Sequence, residues 1–478
     1  MSVHKALLAL LLVLPGAMAA GIAAGSPPVS DAGDGTTPLH WAVHRGDHDA
    51  VRSLLKSGAD ARAINDYGST PMSEAAERGD ATLLRLLLKA GADVESANPE
   101  GQTALMTVAR TGSVEAARVL LRAGADVNAA EHWRGQTALM WAAAQGHEPM
   151  VRLLLEAGAD PDARSAVREW PRRITAEPRI QGRPVGGLTA LLLAAREGCA
   201  ACARTLTKAG ADIDLADPDG VTPLLMATLN ARWDTALVLV ERGADVNLWD
   251  KWGRAPLYSA IDYNTTPRGG RPDRPSADQA VALEVARQLL ERGADPDMQL
   301  KLFPPYRSLG QDRGGDAMLT TGTTPLLRAA KSGDIEAIQL LLKHGASADL
   351  PNSMGITPFM AAAGVGSTLI DIRGRFRNEQ RCIEAAKLLL AAGARVDAQR
   401  DNGQTALHGA ANWGWNEFVR FLAANGAPLE AKDRNGATAL DVAQGKGGAL
   451  GRGGVAGPEA QARTAAVLQE LLSAARRN

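Results

Sequence analysis

The sequence has little of what builds disulfide-rich, strongly charged or aromatic-rich proteins. It contains three cysteines in 478 residues, too few for a scaffold held together by many disulfides. Its net charge is −1, so no overall charge attracts nucleic acid or a membrane surface. Aromatic residues make up only 4%, which fits thin layers filled by leucine and alanine. Beyond the N-terminal region no segment is long and apolar enough to cross a bilayer.

Catalytic motifs are missing as well. We find no nucleophile elbow, no phosphate-binding loop of the Walker type and no HExxH. His40, His44 and His48 are spaced by four residues, like metal ligands on one helix, but Gly46 interrupts that helix and no acid or cysteine completes a set. The sequence therefore predicts a protein that is not an enzyme and that carries no metal or cofactor.

The stretch 135–163 contains one complete structural unit. Thr137 is placed to accept backbone N–H groups at a helix start. Gly146 ends this short helix, a second apolar helix follows, and Gly158 ends the second helix in a left-handed conformation that suits glycine. Two such short helices cannot bury their apolar faces alone, so the unit needs copies of itself on either side.

The copies recur from Gly35 onward, and several of them are spaced by 33 residues. The opening glycine recurs at Gly35, Gly68, Gly101, Gly135, Gly187, Gly220, Gly253, Gly322, Gly355, Gly403 and Gly436. The closing glycine recurs at Gly58, Gly91, Gly124, Gly158, Gly210, Gly243, Gly293, Gly345, Gly393 and Gly426.

The unit resembles the ankyrin repeat. The resemblance rests on Thr37-Pro38-Leu39-His40-Trp41-Ala42, on Thr222-Pro223-Leu224 and on tails such as Gly124-Ala125-Asp126-Val127-Asn128. It implies an all-α solenoid of about eleven helix–turn–helix repeats over residues 35–478, each with a projecting β-hairpin finger. It also implies protein binding on the concave face formed by the fingers and the first helices.

The N-terminal residues predict export. Residues 1–19 combine a weakly basic start, a short apolar run and an Ala-x-Ala site ending at Ala19, which is the pattern of a cleaved signal peptide. Residues 20–34 are expected to form a flexible lead-in. The composition looks bacterial, so the periplasm is preferred over the medium.

Insertions interrupt the array at about 164–186, 264–276, 298–321, 366–380 and 445–457. The first is rich in arginine, including Arg172, Arg173 and Arg183, and falls where a finger should project. Guanidinium groups pair with carboxylates and phosphates, so these three side chains are candidate contacts for a partner. The last helix, about 459–476, has one apolar side, as a terminal cap requires.

Tryptophan provides the main indication of function. Trp41 and Trp141 take the position two residues after the leucine of the first helix, on the side that faces the groove in ankyrin repeats. Three others are expected in fingers and one at the exposed end of a first helix: Trp133, Trp249, Trp252 and Trp413. Tryptophan and arginine are enriched at binding hot spots, so we expect these residues to anchor a partner.

Cys199 and Cys202 form a CxxC motif at the start of a second helix. A helix N-terminus lowers the pKa of a thiol, which would suit redox chemistry. No βαβ pattern surrounds the pair, and Cys202 aligns with the apolar Met150. A structural disulfide in an oxidising compartment is therefore the alternative to a core position.

The sequence thus predicts a non-enzymatic scaffold, expected to be a monomer, that binds a protein or peptide on its concave groove. Two alternatives stay open for an exported protein: a protein that binds a cell-envelope glycan or polymer, because tryptophan also stacks on sugar rings, and a secreted effector. An enzyme with its chemistry in an inserted loop is a further rival, but no loop combines a base with a nucleophile.

Overall fold

The computed structural model describes residues 33–170, 183–265, 278, 280–302, 320–366, 378–446 and 456–477. These residues form 22 helices and one two-stranded sheet. Helices alternate between a first and a second helix in each repeat, and the second helices stack in a row beside the first. The expected all-α solenoid is confirmed.

The first helices of the repeats are five to ten residues long. Their bounds are α1 Pro38–Arg45, α3 Pro71–Arg78, α5 Ala104–Thr111, α7 Ala138–Gln145, α9 Ala190–Glu197, α11 Pro223–Leu229, α13 Pro256–Thr265, α15 Pro325–Ser332, α17 Pro358–Ala362, α19 Ala406–Trp413 and α21 Ala439–Ala443.

The second helices are mostly longer and lie on the opposite side of the stack. Their bounds are α2 His48–Lys56, α4 Ala81–Lys89, α6 Val114–Arg122, α8 Glu148–Glu156, α10 Ala200–Lys208, α12 Trp233–Glu241, α14 Ala282–Glu291, α16 Ile335–Lys343, α18 Glu379–Ala391, α20 Asn416–Ala424 and α22 Pro458–Ala475.

Local chemistry sets where these helices begin and end. The Thr137 hydroxyl accepts the N–H of Met140 and so caps α7, and equivalent threonines occupy the N-cap positions of most first helices. Gly146 ends α7 with a φ of 75°, and Gly158 follows α8 with a φ of 91°. Both glycines are left-handed, as the repeat pattern predicts.

The apolar faces of both rows of helices meet in one continuous core. Leucines such as Leu139 and Leu154 are buried completely, and small alanines such as Ala142 let neighbouring helices approach closely. Burial of one leucine side chain contributes about 1.5–3 kcal/mol. The stack therefore supplies the stability that no single pair of helices could supply.

Fingers join each second helix to the first helix of the next repeat. Isolated bridges between Ala97 and Thr103, Ala130 and Thr137, and Lys432 and Thr438 mark three of them. The first insertion adds the antiparallel strands β1, Arg168–Trp170, and β2, Arg183–Val185. Arg168 pairs with Val185 at the base of this hairpin.

The array ends with α22, close to the predicted range of 459–476. Thr464, Val467 and Leu468 are buried against the last repeats. The other side of α22 faces solvent. The predicted signal segment 1–19 and residues 20–32 of the predicted lead-in lie outside the described residues, as do large parts of all five insertions.

Candidate functional site

In most of the described fingers the turn is held by one polar side chain that points inward. In the finger before repeat 4, Glu131 accepts the backbone N–H groups of Trp133, Arg134 and Gln136 at 2.6, 2.7 and 3.1 Å. Asn65, Asn98, Asp217, Asp250, Asn352 and Asp433 do the same in other fingers. At Asp217, burial raises the pKa of the carboxyl although backbone N–H groups act to lower it.

Large exposed apolar side chains concentrate on the fingers. Among the described residues, every exposed large apolar side chain lies on a finger except that of Val281, which precedes α14. The finger residues are Ile64, Tyr67, Trp133, Val167, Val185, Trp249 and Leu302. Their concentration on the fingers makes the finger edge the candidate binding surface.

Trp133 combines an exposed ring with a cation. Its side chain is 57% exposed, and the Arg134 guanidinium lies 4.6 Å from the ring centroid. Glu131, the nearest carboxylate of this turn, is buried and is occupied by backbone N–H groups. The charge that lies against the exposed ring is therefore that of the Arg134 guanidinium.

Trp249 has a similar arrangement. It is 47% exposed, and the Lys301 ammonium of the next finger lies 5.8 Å from its ring. Exposed Leu302 follows Lys301 directly. Asp250, the carboxylate of this turn, is buried and forms an ion pair with Arg254 at 2.6 Å.

Trp252 does not have the exposure that the sequence predicted. It is only 2% exposed, and its ring lies 4.5 Å from the Lys251 ammonium and 4.9 Å from the Arg254 guanidinium. Its carbonyl accepts the N–H groups of Lys301 and Leu302. The lengthened next finger therefore packs against Trp252, and the prediction of an exposed anchor is wrong at this position.

Trp41 and Trp141 lie on first helices as expected, but they are only partly exposed. Trp141 packs against the main core, and Trp41 contacts His44 edge to face at 6.0 Å. The indole Nε1 atoms of both are buried and have no hydrogen-bond partner. Their rings are therefore partly exposed on the first helices, whereas their Nε1 atoms are buried from solvent.

Trp413 is also less available than the sequence suggested. It is half-buried, and its Nε1–H donates to the carbonyl of Gly364 at 3.2 Å. Its ring stacks on Trp415 at 5.3 Å. Trp413 thus links repeat 10 to repeat 9, and the expected free exposure at this helix end is corrected.

The predicted arginine contacts lie in the first insertion. Arg172 and Arg173 are outside the described residues, and Arg183 begins β2. Arg164, at the base of the insertion, donates to the carbonyl of Ala216 at 2.8 Å and therefore ties this finger to the next. The hairpin base also carries exposed Arg168 beside Val167.

The exposure of the concave side differs along the array. We call the residue two positions after the core residue of each first helix the groove position. It is partly exposed in repeats 1–4, at Trp41, Glu74, Thr107 and Trp141. It is buried in repeats 5 and 7–10, at Leu193, Ser259, Arg328, Ala361 and Gly409.

Buried charge marks the middle of the concave side. Arg328 is 8% exposed and forms an ion pair with Asp262 at 2.7 Å. Lys331, one turn later on α15, is 3% exposed. Sequence reasoning missed this burial, because a groove position looks alike in every repeat. The polar residues Ser259 and Arg328 gave no signal that these positions were covered.

The candidate metal stripe is divided as expected. His40 belongs to α1 and bonds to Thr37 and to the carbonyl of Ser69, whereas His48 begins α2 and lies 2.7 Å from Asp80. Within the described ranges there is no cluster of three His, Cys, Asp or Glu residues that could hold a metal ion. Those ranges also contain no helix that is long and apolar enough to span a bilayer.

Comparison with known proteins gives one family. A model described as "Ankyrin repeats (3 copies)" matches residues 5–98, 73–165, 174–250, 191–300, 276–371 and 377–449. A solved structure, the "ankyrin repeat domain of Bcl-3: a unique member of the IkappaB protein family", is 28% identical with a TM-score of 0.39. The match covers 47% of this chain and 93% of that one. A search of curated proteins finds no match.

Proposed function

Because the chain belongs to the ankyrin repeat family, whose repeats generally mediate protein–protein interaction, we propose that it is a non-enzymatic adaptor for a protein or peptide partner. The partner binds along the finger edge, and it reaches the concave side in repeats 1–4. Trp133 and Trp249 are the principal anchors. Trp141, in the repeat that follows Trp133, and Trp41, in repeat 1, form part of the concave floor.

One observation carries this proposal. Both exposed tryptophans have a cation beside the ring, while the carboxylate of each finger turn is buried and holds the turn together. The charged group against each of these two exposed rings is therefore a cation. Such a surface complements a polypeptide segment that carries acidic residues next to large apolar side chains.

The spacing of the two anchors sets the size of the segment. Trp133 precedes repeat 4 and Trp249 precedes repeat 7, so three repeats separate them. With helix axes 8–10 Å apart, the separation is roughly 24–30 Å. An extended chain rises about 3.3 Å per residue, so a segment of about eight or nine residues spans both anchors.

We place this binding in an exported compartment, the periplasm in the first instance. The support for this is the signal pattern of residues 1–19 with its cleavage site after Ala19. N-terminal sequencing of the protein purified from a bacterial host that secretes it tests the point. A mature N-terminus at Ala20 is expected, and an intact Met1 would contradict it.

Selection from a library of random 12-residue peptides tests the binding surface. Against the full-length protein, we expect enrichment of acidic peptides that contain large apolar residues. The double variant Trp133→Ala, Trp249→Ala should bind the selected peptides at least about 30-fold more weakly, because one hot-spot residue is worth about 2 kcal/mol or more. Enrichment of basic peptides would contradict the proposal.

Val281 offers a matched control. It is 61% exposed, as apolar as the anchors and away from the fingers. Val281→Ala should bind peptides like the parent protein. Arg134→Glu with Lys301→Glu should lose affinity for acidic peptides, and this loss should shrink at high salt. If both tryptophan changes leave binding unaltered, the assignment of Trp133 and Trp249 as anchors is wrong. If soluble oligosaccharides displace the peptides, the glycan-binding alternative is favoured instead.

A further inference from the structure

The CxxC pair lies on the edge of the array opposite the fingers, at the start of α10. Cys199 is the N-cap residue of α10 and is half-buried, whereas Cys202 is completely buried in the core. The structure joins the two residues in a disulfide. Only the Cys199 sulfur is therefore placed to meet a reagent from solvent.

The position of Cys199 is one that holds negative charge in other repeats. Its Sγ accepts the backbone N–H of Cys202. In repeats 1, 2 and 8 a carboxylate at this position accepts the equivalent N–H, and these residues are Asp47, Asp80 and Asp334. A thiolate at position 199 would therefore be stabilised by the same N–H group and by the helix dipole.

Positive side chains add to this environment. A Cβ on Gly198, the neighbour of Cys199, would lie 2.8 Å from Cδ of Arg232. The Arg232 Nε–H donates to the carbonyl of Arg196 at 3.1 Å, which holds this cation beside the turn. Glu197 is near as well, but its carboxylate pairs with Arg196 at 2.9 Å.

A purely structural role explains the pair poorly. The bond links residues only three apart, within the cap and first turn of one helix. Stabilisation by a disulfide grows with the loop that it closes, so this loop gains little. The other repeats manage with alanine or another residue at the position of Cys202, for example Ala50, Ala116 and Ala337.

We propose that Cys199 and Cys202 form a thiol–disulfide exchange site for thiols and disulfides that approach from solvent. An external thiolate attacks Sγ of Cys199, the Cys199–Cys202 bond breaks, and the Cys202 thiolate leaves and takes a proton. A second thiol then attacks the external sulfur of the mixed disulfide. The products are one external disulfide and the Cys199 thiolate, so two electrons enter the pair.

Equilibration of the folded full-length protein in glutathione redox buffers at pH 7 tests the exchange. Alkylation followed by mass spectrometry measures the reduced fraction. We expect the pair to exchange without denaturant and to follow the ratio of reduced to oxidised glutathione. Exchange that occurs only after unfolding in denaturant would overturn the proposal.

Two variants keep the fold and separate the roles of the cysteines. Cys202→Ala introduces the residue found at this position in repeats 1, 3 and 8. In this variant, iodoacetamide should modify Cys199 with a midpoint at least about one pH unit below the value near 8.5 of free cysteine. A midpoint at or above about 8.5 would contradict a stabilised thiolate.

Cys199→Asp is the matched control, because aspartate caps the same helix position in three other repeats. It should keep the circular dichroism spectrum of the parent and leave Cys202 unreactive towards oxidised glutathione in the folded protein. If Cys202 instead forms a mixed disulfide as fast as Cys199 does in Cys202→Ala, the assignment of Cys199 as the attacking sulfur is wrong.

Discussion

His408 shows how one buried side chain links the fold to pH. Its Nδ1 accepts the backbone N–H of Thr405 at 3.2 Å, and its Nε2–H donates to the carbonyl of Ala437 at 3.1 Å. Burial lowers the pKa of His408 below its ordinary value of 6.5, although the Ala437 carbonyl and Asp433 act in the opposite direction. The folded protein therefore holds the neutral imidazole.

Stability should fall as the pH falls below about 6.5. The unfolded chain protonates this histidine at a higher pH than the folded chain does, so in that range the unfolded state binds more protons. The contribution is complete above about pH 6.5 and is lost towards the lower pKa of the folded state, at up to about 1.4 kcal/mol per pH unit. Urea unfolding between pH 7.5 and 5.5 measures it.

His408→Met isolates this effect, because Met106 and Met140 occupy the same position in repeats 3 and 4. The variant loses hydrogen bonds and should be less stable than the parent at pH 7.5. The difference between their free energies of unfolding should be smaller at pH 5.5. The other histidines are common to both proteins and cancel in the difference. If the difference in free energy of unfolding does not change with pH, the assigned role of His408 is contradicted.

Trp133 and Trp252 show what single residues do not reveal from sequence. Each lies two residues after the buried carboxylate of its finger turn, yet the first is exposed and the second is buried. The difference comes from Lys301 and Leu302, which bond to Trp252 from the next finger. The exposure of a side chain in a finger thus depends on residues about 50 positions away, so the local sequence does not predict it.

At the scale of elements, local sequence signals are sufficient to predict where most of the described helices begin and end. Threonine at the N-cap and glycine after the last turn mark the helix ends, because each satisfies backbone groups that the helix leaves open. Ala231 is the exception: it lies two residues after the last residue of α11 with a φ of 55°, at a place where most of the other described first helices are followed by glycine. Burial of Ala231 against the core keeps it there despite the left-handed conformation.

Gly158 offers a test of this conformational requirement without a steric clash. It has a φ of 91°, and a Cβ built on it would meet nothing within 4 Å. Gly158→Ala should cost about 1 kcal/mol, because the left-handed conformation costs an L-residue about 1–2 kcal/mol and alanine recovers part of this in the unfolded chain. The shift in the urea unfolding midpoint measures it.

Gly158→Asn is the control, since asparagine tolerates the left-handed region better than alanine does. The free energy of unfolding of Gly158→Asn should lie between that of the parent and that of Gly158→Ala. If alanine and asparagine are equally harmful, the loss reflects something other than backbone conformation.

The insertions lack the threonine and glycine signals that mark the helix ends. They break the repeat pattern without supplying one of their own, so the sequence predicts only their approximate positions and, for the first, a projecting finger.

For the whole molecule, the solenoid makes stability a local property. Each repeat packs on its neighbours, and the ends of the stack need a polar outer face. The repeat period was enough to predict this architecture. It did not reveal that the groove positions are partly exposed in repeats 1–4 and buried at Arg328 and Ala361. Equivalent positions in a repeat carry the same pattern, and their burial depends on what packs over them.

Removal of the capping helix should therefore have a local effect. Thr464 of α22 donates to the side chain of Asn416 at 2.8 Å, and Leu468 is completely buried. Deletion of residues 456–478 uncovers the apolar side of the last repeats. Amide hydrogen exchange should show lost protection in α19–α21 and unchanged protection in α1–α8, because repeats interact mainly with their neighbours.

Two adjacent substitutions separate the loss of packing from the loss of chain. Leu468→Asp places a charge in the buried face of α22, whereas Gln469→Asp places the same charge on its exposed face. A buried unpaired charge is costly, so only Leu468→Asp should reproduce the exchange pattern of the deletion. Equal effects of the two variants would mean that α22 does not cap through its apolar face. Lost protection that extends to α1–α8 would mean that the array unfolds as one cooperative unit, and the nearest-neighbour description would then fail.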